Sequence, residues 1–345
     1  MGAGILHKYG SYIDLQGALP ISMGEGDTPL IFSKYLSDNI NANVYLKLEG
    51  SNPSGSFKDR GMVVAVSQAI FKNKKTLICA STGNTSASAS AYAAKFGLTS
   101  AIIVPRGNIA KGKLAQAMAF GAKIIAIDGS FDDALNLVRE MENQPGIEIV
   151  NSINPFRIEG QKTAAFEIID SLKSIDYLCI PVGNAGNITA YWKGFRQYSD
   201  SLSFSMPKML GFQAEGASPI VSGNIVKNPE TIATAIRIGN PASWKQANNA
   251  VDESSGGIYS VTDKEIIDAY TNLARKDGVY CEPASAASVA GLLKLSDSLI
   301  NFSGKTITCV ITGNGLKDPS TSEKYASSEI YEIDSDLDQV LEVLS

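Results

Sequence analysis

Four short stretches gather small, hydroxylic and amide residues around groups that could hold an anion or form a covalent bond. In GSNPSGSFKDRGM (50–62) a loop of small residues delivers Lys58 at the start of a helix. The positive end of a helix disfavours an ammonium. That placement suits a lysine that must lose its proton, as a Schiff-base lysine does, because a reference pKa of about 10.4 is too high for nucleophilic work near neutrality. A solvated lysine beside Asp59 is the plainer reading of the same residues. In PVGNAGNITAYWKGF (181–195), Gly183 and Gly186 end a strand and open a helix, so several backbone N–H groups can converge on one anion. No GK[ST] follows, and the GxGxxG spacing of a dinucleotide site is missing; a phosphate cradle and a tight strand-to-helix turn both remain open. In STGNTSASASAYAA (81–94), Ser81, Thr82, Asn84 and Thr85 crowd a strand end and suit a carboxylate, where a simple helix cap would need only one of them. ITGNGLKDP (311–319) sets Thr312 at another strand end, before Gly313 and Gly315, and a glycine turn explains it almost as well.

The elements that carry these loops alternate regularly. NVYLKLE (43–49), TLICA (76–80), SAIIV (100–104) and KIIAI (123–127) are predicted strands, separated by helices opening near Lys58, over 85–96, over 111–120 and beyond Phe131. A second series runs through a long helix over 159–172, then DYLCIPV (176–182), KMLGFQA (208–214) and TITCVIT (306–312). Strand–helix repetition implies an α/β class with parallel sheets. Residues 49–151 are expected to form a smaller domain bearing Lys58, inserted into a larger one made of 1–48 and 152–345. Ligands of open α/β sheets bind beyond the carboxyl ends of the strands, where all four loops lie. The tail SDLDQVLEVLS (335–345) carries Leu337, Val340, Leu341 and Leu344 at helical spacing, with Ser335 as expected N-cap, and is predicted to be a packing helix without chemistry.

With 345 residues the chain can bury about two cores without metal or disulfide staples. A net charge of −5, with both signs spread along the chain, offers no basic stripe for nucleic acid. Cys79, Cys179, Cys281 and Cys309 are far apart, form no CxxC pair, and read as buried reduced thiols of a cytoplasmic protein. The first residues lack the features of a signal peptide and no stretch reaches spanning length, so no membrane partner is expected. His7 is the sole histidine, which argues against a Ser/His/Asp triad and against a histidine-rich metal site. No metal is expected.

In this order the four segments resemble the fold type II enzymes that use pyridoxal 5'-phosphate, the tryptophan synthase β-like group. Within it, GEGDTPL (24–30), NSINPFRIEGQKTAAFEI (151–168) and TAIRIGNPASW (234–244) resemble the threonine synthase family, and the likeness covers nearly the whole chain. The resemblance implies two parallel-sheet, three-layer domains, with the cofactor carried on Lys58. It places Asn84 beside the cofactor's 3-oxygen, Gly183, Asn184, Ala185, Gly186 and Asn187 around its phosphate, and the Thr312 hydroxyl opposite the pyridine nitrogen. It implies O-phospho-L-homoserine as substrate, threonine and phosphate as products, and a homodimer. Ser81, Thr82 and Asn84 would take the substrate carboxylate. Arg157, with Asn151, Ser152 and Thr85, would take its phosphate, since arginine grips tetrahedral oxyanions through two parallel bonds. Arg157 could instead pair with Glu159, and Arg237 and Asn240 could shape the pocket. A serine or threonine dehydratase, and a non-catalytic phosphate-binding protein on the same sheets, are the competing readings.

Overall fold

The structure, a computed structural model, describes residues 3–106, 111–325 and 328–344. Its strands are β1 (Leu30–Phe32), β2 (Asn43–Leu48), β3 (Thr76–Ala80), β4 (Thr99–Pro105), β5 (Lys123–Ile127), β6 (Ile147–Ile149), β7 (Tyr177–Pro181), β8 (Lys208–Ala214), β9 (Gly257–Val261) and β10 (Thr306–Ile311). They form a four-stranded sheet in the order β5-β4-β3-β6 and a six-stranded sheet in the order β1-β2-β10-β7-β8-β9. Every pairing is parallel except that of β1 with β2. A sheet covered by helices on both faces needs strands that are apolar on both. β3 and β10 meet that demand: Leu77, Ile78, Cys79 and Ala80, and Ile307, Cys309, Val310 and Ile311, are all buried. The four cysteines are buried and free, as expected.

Two features depart from the sequence expectation. The long helix over 159–172 is two helices, Pro155–Gln161 and Thr163–Leu172, meeting at Lys162. Pro155, preset for a first helical turn, starts the first one early, with the Asn154 side chain accepting from Phe156 N–H. The Thr163 hydroxyl donates to the Gly160 carbonyl at 2.7 Å, a local back-bond that bends the chain there. The C-terminal helix exists as Leu337–Leu344, but none of its residues is buried, so it is not a packing helix. Its first turn is capped by Asp336, whose carboxylate accepts from Gln339 N–H, and not by Ser335. The leucine spacing is helical, yet nothing among the described residues covers that face.

Two contacts fix the helix that begins at Lys58 (Lys58–Phe71). A Cβ added at Gly160 would lie 1.8 Å from the Arg60 carbonyl oxygen, and one at Gly61 would lie 2.6 Å from that of Arg157. The two helices therefore meet backbone to backbone. Beneath them, Arg60 reaches Glu49 at 2.7 Å and Glu167 at 2.6 Å, while Lys47 also reaches Glu167 at 2.6 Å, and all four side chains are buried. Two cations face two carboxylates, so the cluster is neutral. Burial alone would raise the Glu167 pKa, but Arg60 and Lys47 bring it down to about 2. Such a cluster stabilises little against an apolar isostere, but it punishes misplacement of any member. It ties the end of β2, the Lys58 helix and the Thr163–Leu172 helix together.

Candidate active site

β2 and β10 are neighbours, with Leu48 opposite Ile311, so the loops leaving their carboxyl ends emerge side by side. Backbone bonds join those loops: Phe57 N–H donates to the Thr312 carbonyl at 3.0 Å, Asn314 N–H to Gly55 at 2.9 Å, and Glu282 N–H to Gly313 at 3.0 Å. Gly50 has no room for a side chain, since its Cβ would stand 2.7 Å from Asn314 N. Lys58 and Thr312, remote in sequence, are thereby held on one floor.

Lys58 is the first residue of its helix, as the sequence predicts. It is partly buried, its Nζ lies 4.0 Å from the Phe57 ring centroid, and among the described residues its amine has no ion pair or hydrogen bond. Desolvation first, and then the nearby Arg157 guanidinium, lower its pKa to about 7, with Glu282 pulling the other way. The solvated pair with Asp59 does not form. That carboxylate is buried and accepts from Ser54 N–H, from the Ser54 hydroxyl and from the Ser88 hydroxyl at 2.5–2.6 Å.

Arg157 is buried on the Pro155–Gln161 helix, donates to the Val150 carbonyl at 2.7 Å, and leaves its Nε without a partner. Burial brings its pKa down to about 10. The alternative pairing with Glu159 is absent, for Glu159 is engaged by Lys162 and Lys193. A buried guanidinium with an idle donor is costly unless an anion completes it. Asn151 is committed differently: its amide accepts from Ala80 N–H and donates to the Ala80 carbonyl, both at 3.1 Å. It clamps the end of β3, from which Ser81 and Thr82 follow, both partly exposed, with the Ser81 hydroxyl accepting from Gly83 N–H at 3.2 Å. Thr85 is buried in the first turn of the Asn84–Lys95 helix, and Ser152 is partly exposed beyond Asn151.

The segment after β7 opens the helix Gly186–Ser199 through Ala185, which adopts a left-handed conformation at φ 65°. The first N–H groups of a helix lack intrahelical partners, and here both polar atoms of the buried Asn187 side chain are also unpartnered. The Asn184 carbonyl oxygen accepts from Ser243 N–H at 3.1 Å, which anchors the loop. Gly183 is dictated by packing, since its Cβ would stand 3.0 Å from the Ile236 Cα. Arg237 and Asn240 lie in the same neighbouring segment. Arg237 is exposed and pairs with Glu230 at 3.5 Å, and Asn240 is exposed.

One participant escapes the sequence reading. Glu282, buried before the helix Pro283–Ser298, accepts from Asn84 Nδ2 with both carboxylate oxygens, at 2.9 and 3.0 Å, and from the Thr312 hydroxyl at 3.3 Å. In sequence it looks like an ordinary acidic residue at a helix start. A cleft of about 1000 Å³ lies elsewhere, lined by Glu159, Lys193, Trp192, Arg196 and Glu253, where Lys193 pairs with Glu159 and Arg196 with Glu253, and neither Lys58, Asn84, Arg157, Glu282 nor Thr312 lines it.

Residues 21–313 match a family model described as pyridoxal-phosphate dependent enzyme. The chain is 52% identical to a threonine synthase of Bacillus sp. (strain ULM1) over 99% of this chain and 97% of that one. It is 56% identical to a threonine synthase of Mycobacterium leprae over 88% and 86% of the two chains. Among solved structures, threonine deaminase isoform 2 from Solanum lycopersicum superposes with a TM-score of 0.77 at 21% identity, over 94% of this chain and 90% of that one. At that identity the likeness speaks for the fold alone.

Proposed function

Since the chain belongs to the pyridoxal-phosphate-dependent enzyme family, we infer that it catalyses the threonine synthase reaction, converting O-phospho-L-homoserine and water to L-threonine and phosphate. The observation that carries this reading is a near-neutral amine at Lys58 set close to a buried arginine with an idle donor. One group attacks a carbonyl and moves protons; the other completes itself with a phosphate. Relatives more than half identical over most of their length act under that same name.

The residues fit the cofactor. Lys58 would carry it, the N–H groups at Gly183–Asn187 with the unpartnered Asn187 amide would hold its phosphate, and Asn84 and Thr312 would face its 3-oxygen and ring nitrogen. Bound there, pyridoxal phosphate withdraws electrons from the amino-acid carbons, so that protons on them become removable. Ser81, Thr82 and Asn84 orient the substrate carboxylate at the head of the Asn84 helix. Arg157, with Thr85 and Ser152, holds the departing phosphate; Asn151 contributes by fixing the strand end. Lys58 Nζ takes the α-proton and releases it, then takes a β-proton and returns it to the γ-carbon after phosphate leaves. Its pKa of about 7 lets it both accept and give protons at neutral pH. The hydroxyl of water then joins the β-carbon, and a proton returns through Lys58 to the α-carbon, which completes threonine.

Support for a cytoplasmic enzyme comes from four buried free thiols; among the described residues no helix is long and apolar enough to cross a membrane. We also propose a homodimer, to be read by light scattering. The test of function is phosphate and threonine release from O-phospho-L-homoserine by the cofactor-loaded protein beside Lys58→Ala. Equal yields of both products, lost in the variant, are expected. Ammonia and a keto acid from serine or threonine, without phosphate release, would make it a dehydratase instead.

A further inference from the structure

Glu282 stands where a helix N-cap would be, directly before Pro283, yet its side chain makes no capping bond. The carboxylate turns across to Asn84, which follows β3 of the other sheet, and takes the amide nitrogen with both oxygens. Space is kept for it: a Cβ on Gly313 would stand 2.4 Å from Glu282 Oε1. The charged groups facing it are Lys58 and Lys317, and the Thr312 hydroxyl completes its shell. Burying a carboxylate is expensive, and what this one meets with both oxygens is the Asn84 amide nitrogen. An amide oxygen turned toward the carboxylate would be repelled, so the nitrogen must face Glu282, and its second N–H is left for another acceptor.

We propose that Glu282 is a positioning residue for the cofactor: by holding one side of the Asn84 amide it presents an N–H, and not the amide oxygen, to the 3-oxygen of the pyridine ring. This rests on the assignment of Asn84 as a cofactor contact made above. A donor at that oxygen favours its anionic form, which absorbs visible light, over the neutral form, which absorbs in the near ultraviolet. The same bond spans the two sheets, so the ring contact is correct only when Asn84 and Glu282 are together.

The test uses cofactor-loaded protein and two readouts independent of turnover: the ratio of visible to near-ultraviolet absorption, and the rate of cofactor loss on dilution. Asn84→Ala and Glu282→Ala are each expected to shift absorption toward the near ultraviolet and to speed cofactor loss roughly ten- to a hundredfold, the scale on which outer partners of a binding side chain act. Glu282→Gln, which keeps an acceptor for the amide, is expected to restore most of the visible band. The double variant should be no worse than Asn84→Ala alone, because both act through one bond. Additive losses, or a Glu282→Ala protein with wild-type absorption, overturn the proposal. An unaltered Asn84→Ala protein removes the Asn84 assignment and the proposal with it, whether or not threonine is formed. If Glu282→Ala does not fold, Glu282→Asp, which keeps the charge but withdraws it by one methylene, runs the same cycle.

Discussion

Replacing Lys58 by methionine, similar in length but uncharged, removes the cost of burying an ammonium, and the structure fixes how that cost varies with pH. Folding lowers the Lys58 pKa from 10.5 to about 7. Between those values the unfolded chain holds the proton more tightly, so the cofactor-free wild type gains stability as pH rises. Above the upper value the amine is neutral in both states and the cost has vanished. Below the lower value it is charged in both and the cost is complete. At about 1.4 kcal/mol per pKa unit the complete cost is bounded by roughly 5 kcal/mol, and of this at most roughly 2 kcal/mol is recovered between about pH 7 and about pH 9. Partial exposure of Lys58 trims both figures. Urea unfolding of cofactor-free wild type and Lys58→Met across that range isolates the effect, because the other titrating groups cancel in the difference. The variant is expected to be the more stable near pH 7, with its advantage shrinking by about 1–2 kcal/mol toward pH 9. A difference independent of pH would refute a desolvated amine at Lys58.

Arg157→Lys keeps a charge but loses the fork, and is expected to raise KM for O-phospho-L-homoserine roughly ten- to a hundredfold; an unchanged KM in steady-state phosphate release would remove Arg157 from the phosphate site. Arg157→Met should also move the acid limb of kcat upward in pH, since Arg157 is one of the two causes that lower the pKa of the Lys58 amine, which is free once substrate has displaced it. Gly160→Ala forces a Cβ to 1.8 Å from a backbone oxygen and is expected to destabilise by about 3 kcal/mol in urea unfolding, whereas Gly10→Ala, which meets nothing within 4 Å, should stay within about 0.5 kcal/mol. Arg60→Met strands two buried carboxylates and should cost about 3–5 kcal/mol. In the wild type, the Glu167 contribution is complete above its ordinary pKa of 4.5 and is lost as pH falls toward about 2, so Glu167→Gln should flatten acid unfolding in that window.

Much of the architecture is legible in the sequence because parallel strands announce themselves as short apolar runs between turns; β3, β5 and β8 coincide with TLICA, KIIAI and KMLGFQA, although β5 is largely exposed. β1 and β6, with three residues each, are too short to carry a pattern, and β9 is half-exposed. Lys58, Asn84, the 183–187 turn and Thr312 stand out because small residues at strand ends are chemically unusual together. Glu282 does not, since its part depends on Asn84, a partner nearly two hundred residues away. The unburied leucines of the final helix show that periodicity specifies a helix but not what covers it.

The backbone contact at Gly61 and Gly160 has a consequence for spacing within the site. At Gly61 and Gly160 no side chain separates the Lys58 and Arg157 helices, so the amine and the guanidinium are carried on two elements packed at backbone distance. On the proposed roles of these two groups, the span from the reacting carbon of a substrate to its phosphate is set by how closely two backbones pack, and a methyl group added at either glycine would alter that span without touching a reacting group.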